Sequence, residues 1–260
     1  WLVPISAFRK QSDRVIIFLA EACISNNTWM MSHFITLDIQ QSLEGVLDPD
    51  GHYLVLANHQ SWTDIPILQS VLNHKIPFMR FFLKSQLIWV PILGLAWWAL
   101  DFPFMKRYSK SQIQKNPKLA GSDIEVTRKS CEKFLGKPVS IMIFPEGTRF
   151  TVAKQQHFNS PFANLLKPKS GGIAYALDAM GSGLKQIIDV CIYYPNGKPG
   201  IYDLFANKIK TVCINIRVLD IPQELRVGNY QDDRAFRAWF QTWLNALWLE
   251  KQNMIDSHAS

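Results

Sequence analysis

The sequence predicts an α/β protein: a single domain with a mostly parallel central sheet flanked by helices, preceded by an N-terminal helical segment. Three observations carry this. Short apolar runs of strand length occur at residues 53–58, 139–144 and 187–194, as strands buried on both faces require. Segments of helical length separate them. Each run also stops abruptly in polar or turn-forming residues: Asn58-His59, Pro145-Glu146-Gly147 and Pro195-Asn196-Gly197.

Composition narrows the function. The 260 residues are 48% hydrophobic, enough for a sizeable core and incompatible with a disordered chain. The net charge of +7 favours an anionic partner: a phosphate-bearing substrate, an acidic membrane surface or a nucleic acid. Nucleic acid lacks support, because no basic block interleaved with aromatics and no zinc-finger or recognition-helix signature is present. Cys23, Cys131, Cys191 and Cys213 have no metal spacing, and three sit in apolar segments, which suits a reducing, cytoplasm-facing compartment. The six histidines make no His-x3-His pair, so no metal is expected. The chain starts at Trp1 and reads as a fragment or processed product.

In chain order, residues 1–40 are apolar but broken by Arg9, Lys10, Asp13, Arg14 and Glu21. They predict one or two membrane-proximal helices rather than a span, with the main domain over 41–260. Asp48-Pro49-Asp50-Gly51 predicts a turn, followed by a strand over 53–58 and a helix over 65–72. Residues 77–83 read as a strand. The run 87–100, interrupted by Pro91 and Gly94 and carrying Trp97-Trp98, is short for a span; it fits a buried helix or a segment in a membrane interface. A short strand over 102–105 would deliver Lys106 and Arg107. Residues 108–121 read as a loop, and Ser122-Asp123-Ile124-Glu125 as a capping box opening a helix that ends at Gly136. A strand over 139–144, a loop over 150–167, a helix from Gly171 or Gly172 to about Ala179 and a strand over 187–194 follow. Residues 211–219 alternate in polarity like an edge or half-exposed strand. The last helix, 232–255, carries a stripe of Phe236, Phe240, Trp243, Leu244 and Leu247, with Asp232 and Asp233 at its positive end.

Ligands of parallel sheets collect at the carboxyl ends of the strands. Asn58-His59 with Asp64, Lys106-Arg107 and Glu146-Gly147-Thr148-Arg149 all fall there, and Tyr194-Pro195 ends a fourth strand. Histidine is suited to take a proton near neutral pH, and a carboxylate on its second nitrogen fixes the tautomer. One base, one orienting acid, several cations and a tight glycine turn suit deprotonation of a hydroxyl on a phosphate-bearing acceptor.

The blocks Asn58-His59-Gln60-Ser61-Trp62-Thr63-Asp64 and Phe144-Pro145-Glu146-Gly147-Thr148-Arg149 resemble the signature blocks of the glycerolipid acyltransferases, the group that includes 1-acylglycerol-3-phosphate acyltransferase. Phe104-Met105-Lys106-Arg107 is similar to that family's second block and Ile192-Tyr193-Tyr194-Pro195 to its fourth, with the two tyrosines in place of the usual Val-Pro-rich stretch. The resemblance covers roughly residues 50–200. It implies an O-acyltransferase that moves a fatty acyl group from acyl-CoA or acyl carrier protein to a lysophospholipid, foremost 1-acylglycerol-3-phosphate, giving phosphatidic acid. In that reading His59 is the general base and Asp64 orients it. Arg107 and Arg149, with Lys106, hold the acceptor phosphate, and Glu146, Gly147 and Thr148 complete the acceptor site. No cofactor is implied beyond the acyl donor. A phospholipid surface is the implied partner, at a bacterial inner membrane with the site facing the cytoplasm. The alternatives are a catalytically silent lipid-binding or membrane-remodelling protein on the same fold, and a thioester hydrolase in which His59 activates water.

Overall fold

The computed structural model describes residues 6–105, 131, 134 and 136–259. Helix α1 (Ser6–Phe34) leads into strand β1 (Asp38–Glu44) and, after the 48–51 turn closed by Gly51 N–H to Asp48 O at 3.0 Å, strand β2 (His52–Ala57). Then come α2 (Asp64–Leu72), β3 (Met79–Phe81), β4 (Leu83–Lys84), a 3-10 turn (Ser85–Trp89), α3 (Leu93–Ala99), β5 (Phe104–Met105) and β6 (Val139–Ile143). The chain finishes with α4 (Val152–His157), α5 (Gly171–Met180), β7 (Gln186–Tyr193), α6 (Ile201–Phe205), β8 (Thr211–Asp220), α7 (Gln223–Val227) and α8 (Arg234–Ala259).

The main sheet runs β1-β8-β7-β2-β6-β3. β7, β2, β6 and β3 are mutually parallel; β8 is antiparallel to β7, and β1 pairs parallel to β8. The four parallel strands therefore open their carboxyl ends on one edge. Alternation sorts β2 between two cores. Leu54 and Leu56 face the layer built by α5 and α8, with Ile173, Ala176, Leu244 and Trp248. Tyr53, Val55 and Ala57 face α2, with Ile67, Leu68 and Val71. Residues 53–57 are all buried, which is why they form an unbroken apolar run.

Several elements depart from the sequence reading. Of the two alternatives for 211–219, β8 is the half-exposed strand and not the edge: it lies inside the sheet with one face only half covered. β1 takes an edge instead, and its mostly exposed DIQQSLE offers no apolar periodicity to read. Residues 150–167 contain α4, capped by Thr151 Oγ1 accepting from Lys154 N–H. The strand at 104–105 pairs with β4 in a separate two-stranded sheet. The 87–100 segment is not a buried helix: Trp89, Ile92, Leu93, Leu95 and Trp98 are exposed. Helix α8 starts at Arg234, and Asp233 is its cap, with Oδ1 accepting from the N–H groups of Ala235 (2.8 Å) and Phe236 (3.0 Å). Most of the expected 122–136 helix, with its capping box, lies outside the described residues, as do Lys106 and Arg107. Among the described residues no helix is long and apolar enough to cross a membrane.

Candidate active site

Strand β2 hands the chain to a corner that fixes its own geometry. Asn58, fully buried, extends the β2–β7 pairing with its side chain: Nδ2 donates to Ile192 O (2.9 Å) and Oδ1 accepts from Ile192 N–H (2.8 Å). His59 follows, and its ring turns to Asp64, the first residue of α2, with Nδ1 2.8 Å from Oδ2. That carboxylate is wholly buried and held from four directions. Oδ2 also accepts from the N–H groups of Gln60 (2.7 Å) and Ser61 (2.9 Å), and Oδ1 from the Tyr194 hydroxyl (2.8 Å). The amino end of α2 adds a favourable dipole. Nδ1 donates its proton to this carboxylate, which leaves Nε2 as the free nitrogen; the tautomer follows from this bond. One face of the imidazole lies on Phe144, with centroids 4.0 Å apart and planes 18° from parallel.

The end of β6 supplies the second wall. Gly147 takes φ +72°, a left-handed conformation that only glycine adopts without strain, so the chain turns back with Gly147 N–H on Phe144 O (2.9 Å). Phe150 N–H then donates to His59 O (2.8 Å), tying the two corners together. His59, Trp62, Phe81, Phe82, Phe144, Thr148 and Arg149 line a cleft of about 260 Å³. The Arg149 guanidinium lies 4.0 Å from the Trp62 ring centroid, a cation–π stack. Thr148 accepts from Lys154 Nζ at 2.8 Å.

Of the residues singled out in the sequence, the fold brings His59, Asp64, Gly147, Thr148 and Arg149 to this edge. Glu146 turns inward. It is 1% exposed and does not line the His59 cleft. The backbone N–H groups of Leu166 and His59 act on its carboxyl to favour the charged form, Oε1 lies 3.4 Å from Trp248 Nε1, and Oε2 has no hydrogen-bond partner. Burial, the largest cause, pushes its pKa up to about 8, against the hydrogen bonds. Glu146 thus stays protonated at neutral pH and supports the main chain beneath the base.

Sequence reasoning missed the contribution of α8. Trp248 reaches Glu146. Lys251, buried completely, pairs with Asp189 Oδ1 (2.5 Å) and donates to Val190 O (2.5 Å) and, more distantly, Leu56 O (3.4 Å). Arg217 holds the other Asp189 oxygen at 2.7 Å. Gln252 Oε1 accepts from Asn164 N–H (2.9 Å), and Asn164 O accepts from Gln60 Nε2 (2.9 Å). One signal was available: a lysine standing on the apolar stripe, in line with Phe240, Leu244, Leu247 and Ile255.

A family model described as Acyltransferase matches residues 38–195, more than half of the 260 residues, and the chain belongs to that family. Among curated proteins it is 26% identical over 254 residues to the 2-acyl-1-lysophosphatidylinositol acyltransferase of Saccharomyces cerevisiae, covering 80% of this chain and 61% of the relative. It is 27% identical over 217 residues to the 1-acyl-sn-glycerol-3-phosphate acyltransferase epsilon of Mus musculus, covering 76% and 54%. The crystal structure of the 1-acyl-sn-glycerophosphate acyltransferase from Thermotoga maritima aligns with a TM-score of 0.48 and 19% identity, over 96% of this chain and 84% of that one. The matches to the yeast and mouse relatives span 61% and 54% of their lengths.

Proposed function

We propose that this chain is a lysophospholipid O-acyltransferase that moves a fatty acyl group from a thioester to the free hydroxyl of a lysophospholipid, foremost 1-acylglycerol-3-phosphate. One observation carries the reading: the His59 imidazole is anchored through Nδ1 on a buried, fully solvated-by-protein Asp64 at the open edge of the parallel strands, beside a stacked arginine. In the reaction the acceptor oxygen attacks the thioester carbonyl carbon as its proton passes to His59 Nε2. Asp64 stabilises the imidazolium that forms. Collapse of the tetrahedral intermediate breaks the carbon–sulfur bond, and the thiolate takes the proton back, leaving an ester and a free carrier thiol. No acyl-enzyme is required. We assign the acceptor phosphate to Arg149, which lines the His59 cleft, and by the resemblance Lys106 and Arg107 share that role. Phe81, Phe82 and Phe144 offer an apolar wall to a fatty chain. The donor is acyl-CoA or acyl carrier protein, each presenting the same thioester.

A phospholipid surface is the proposed partner. Trp89 and Ile92 are each 85% exposed and Leu95 67%, an exposed apolar segment that includes tryptophan, as interface-seeking segments do. The setting we propose is a bacterial inner membrane with the site facing the cytoplasm, as the resemblance of the signature blocks implies.

The test is acyl transfer by the purified protein, offered several lysophospholipids with oleoyl and palmitoyl donors and products identified by mass. His59→Ala is expected to abolish transfer while leaving the unfolding transition in place. Wild-type turnover in that variant would remove His59 from the mechanism. Release of free acid without any acceptor would favour the thioester hydrolase instead.

A further inference from the structure

Beside the His59 cleft lies a second cavity of about 300 Å³ that shares Trp62 and Arg149 with it but is not lined by His59. Three cations line it: Arg149, Lys154 and Lys198. None of its lining residues is acidic, and among the described residues no carboxylate forms an ion pair with any of the three. Uncharged contacts hold them instead. The Arg149 guanidinium carbon lies over the Trp62 ring, 4.0 Å from its centroid. Lys154 Nζ donates to Thr148 Oγ1 (2.8 Å) and Arg149 O (3.0 Å). Lys198 belongs to an exposed turn after β7, yet its ammonium sits 3.2 Å from the Phe150 ring centroid, and desolvation there lowers its pKa to about 8.

Like charges gathered in one cavity repel, and partial loss of water strengthens that repulsion. A surface that needed only solubility would spread these charges or interleave carboxylates. A bound anion removes the cost, and the available hydrogens of two ammonium groups and a guanidinium match the oxygens of a phosphate ester. The cavity shares the Trp62–Arg149 wall with the cleft that His59 lines.

We propose that Lys154 and Lys198, together with Arg149, form a phosphate-binding subsite next to the His59 cleft. Its ligand is a phosphate ester carried by one of the two substrates: the head group of the lysolipid, or the phosphates of the carrier bearing the acyl thioester. This assignment rests on the acyltransferase reading, and it adds two residues outside the signature blocks to that site.

The experiment uses the full chain with Lys154→Gln, Lys198→Gln and the double substitution, read in two ways. In steady-state assays with oleoyl-CoA and lysophosphatidic acid, the double variant is expected to raise KM for one substrate about tenfold while kcat stays within about twofold, the signature of lost ground-state binding. In calorimetric titrations with coenzyme A and with glycerol 3-phosphate, the affinity for the corresponding probe is expected to fall by a similar factor. A change confined to oleoyl-CoA and coenzyme A supports the subsite with the donor phosphates as its ligand; a change confined to lysophosphatidic acid and glycerol 3-phosphate supports it with the head group. Lys154 also braces the Arg149 loop, so Lys198→Gln, at an exposed position, must by itself give about a threefold effect on the same substrate. Unchanged KM values and unchanged probe affinities in the double variant, or a silent Lys198→Gln, overturn the proposal. Should the wild-type chain transfer no acyl group, the acyltransferase reading fails, but lysine-dependent binding of either probe would still support the subsite.

Discussion

Glu146→Gln gives a pH-dependent stability signature whose size follows from burial. The Glu146 carboxyl has a pKa of about 8 in the folded chain, against 4.5 when unperturbed. Between those values the native state keeps a proton that the unfolded state has released. The native state binds more protons, so stability falls as pH rises through the window from about 4.5 to about 8, and the loss is complete above it. The gap corresponds to about 5 kcal/mol across the whole window, of which about 3 kcal/mol is already lost at pH 7. Glutamine has the same shape and no charge to bury, so E146Q lacks this slope. Relative to E146Q, the wild type is therefore expected to lose stability by about 3 to 5 kcal/mol between pH 5 and pH 8, or roughly 2–4 °C of Tm per kcal/mol for a chain of this size. Urea unfolding of both proteins at pH 5, 6, 7 and 8 measures it. A wild-type–variant difference that is the same at pH 5 and pH 8 would refute a neutral, buried Glu146.

Two further perturbations test the layers around the base. Tyr194→Phe removes the hydroxyl that donates to Asp64 Oδ1 at 2.8 Å; a lost hydrogen bond to a charged group costs about 1.5–3 kcal/mol of stability. With Asp64 held by one donor fewer, the orientation of His59 loosens, so kcat is expected to fall severalfold while KM is unchanged. A stability loss with unchanged kcat would make Tyr194 a packing residue only. Replacing Trp89 and Ile92 by serine, both at exposed positions, is expected to reduce co-sedimentation with anionic phospholipid vesicles severalfold while the unfolding free energy changes by less than about 1 kcal/mol; undiminished binding would place the membrane contact elsewhere.

Local chemistry was legible wherever it was written in adjacent residues. The 48–51 turn, the buried strands β2, β6 and β7 and the His59–Asp64 spacing each depend on a few consecutive side chains, and each is found where those side chains put it. Elements whose character comes from neighbours were not legible. β1 has six exposed residues among seven and is a strand because β8 offers it a free edge. Trp89, Ile92, Leu93, Leu95 and Trp98 in 87–100 are exposed although their composition fits a core equally well. Glu146 lies in a block that suggests a substrate ligand, yet its carboxyl faces Trp248 from a helix about a hundred residues later.

The sequence by itself determined the class of fold, the family and the pairing of one histidine with one acid, since strand length, apolar continuity and a five-residue separation act through covalent neighbours. Only the tertiary structure decided what surrounds that pair: Tyr194 on the second oxygen of Asp64, the lysine from α8 beneath β2 and β7, and the two lysines gathered with Arg149 beside Trp62. Apart from Lys154, which lies five residues from Arg149, these contacts join residues tens to almost two hundred positions apart. Their energies depend on distance and on exclusion of water, and neither exists until the sheet has brought its strand ends to one edge.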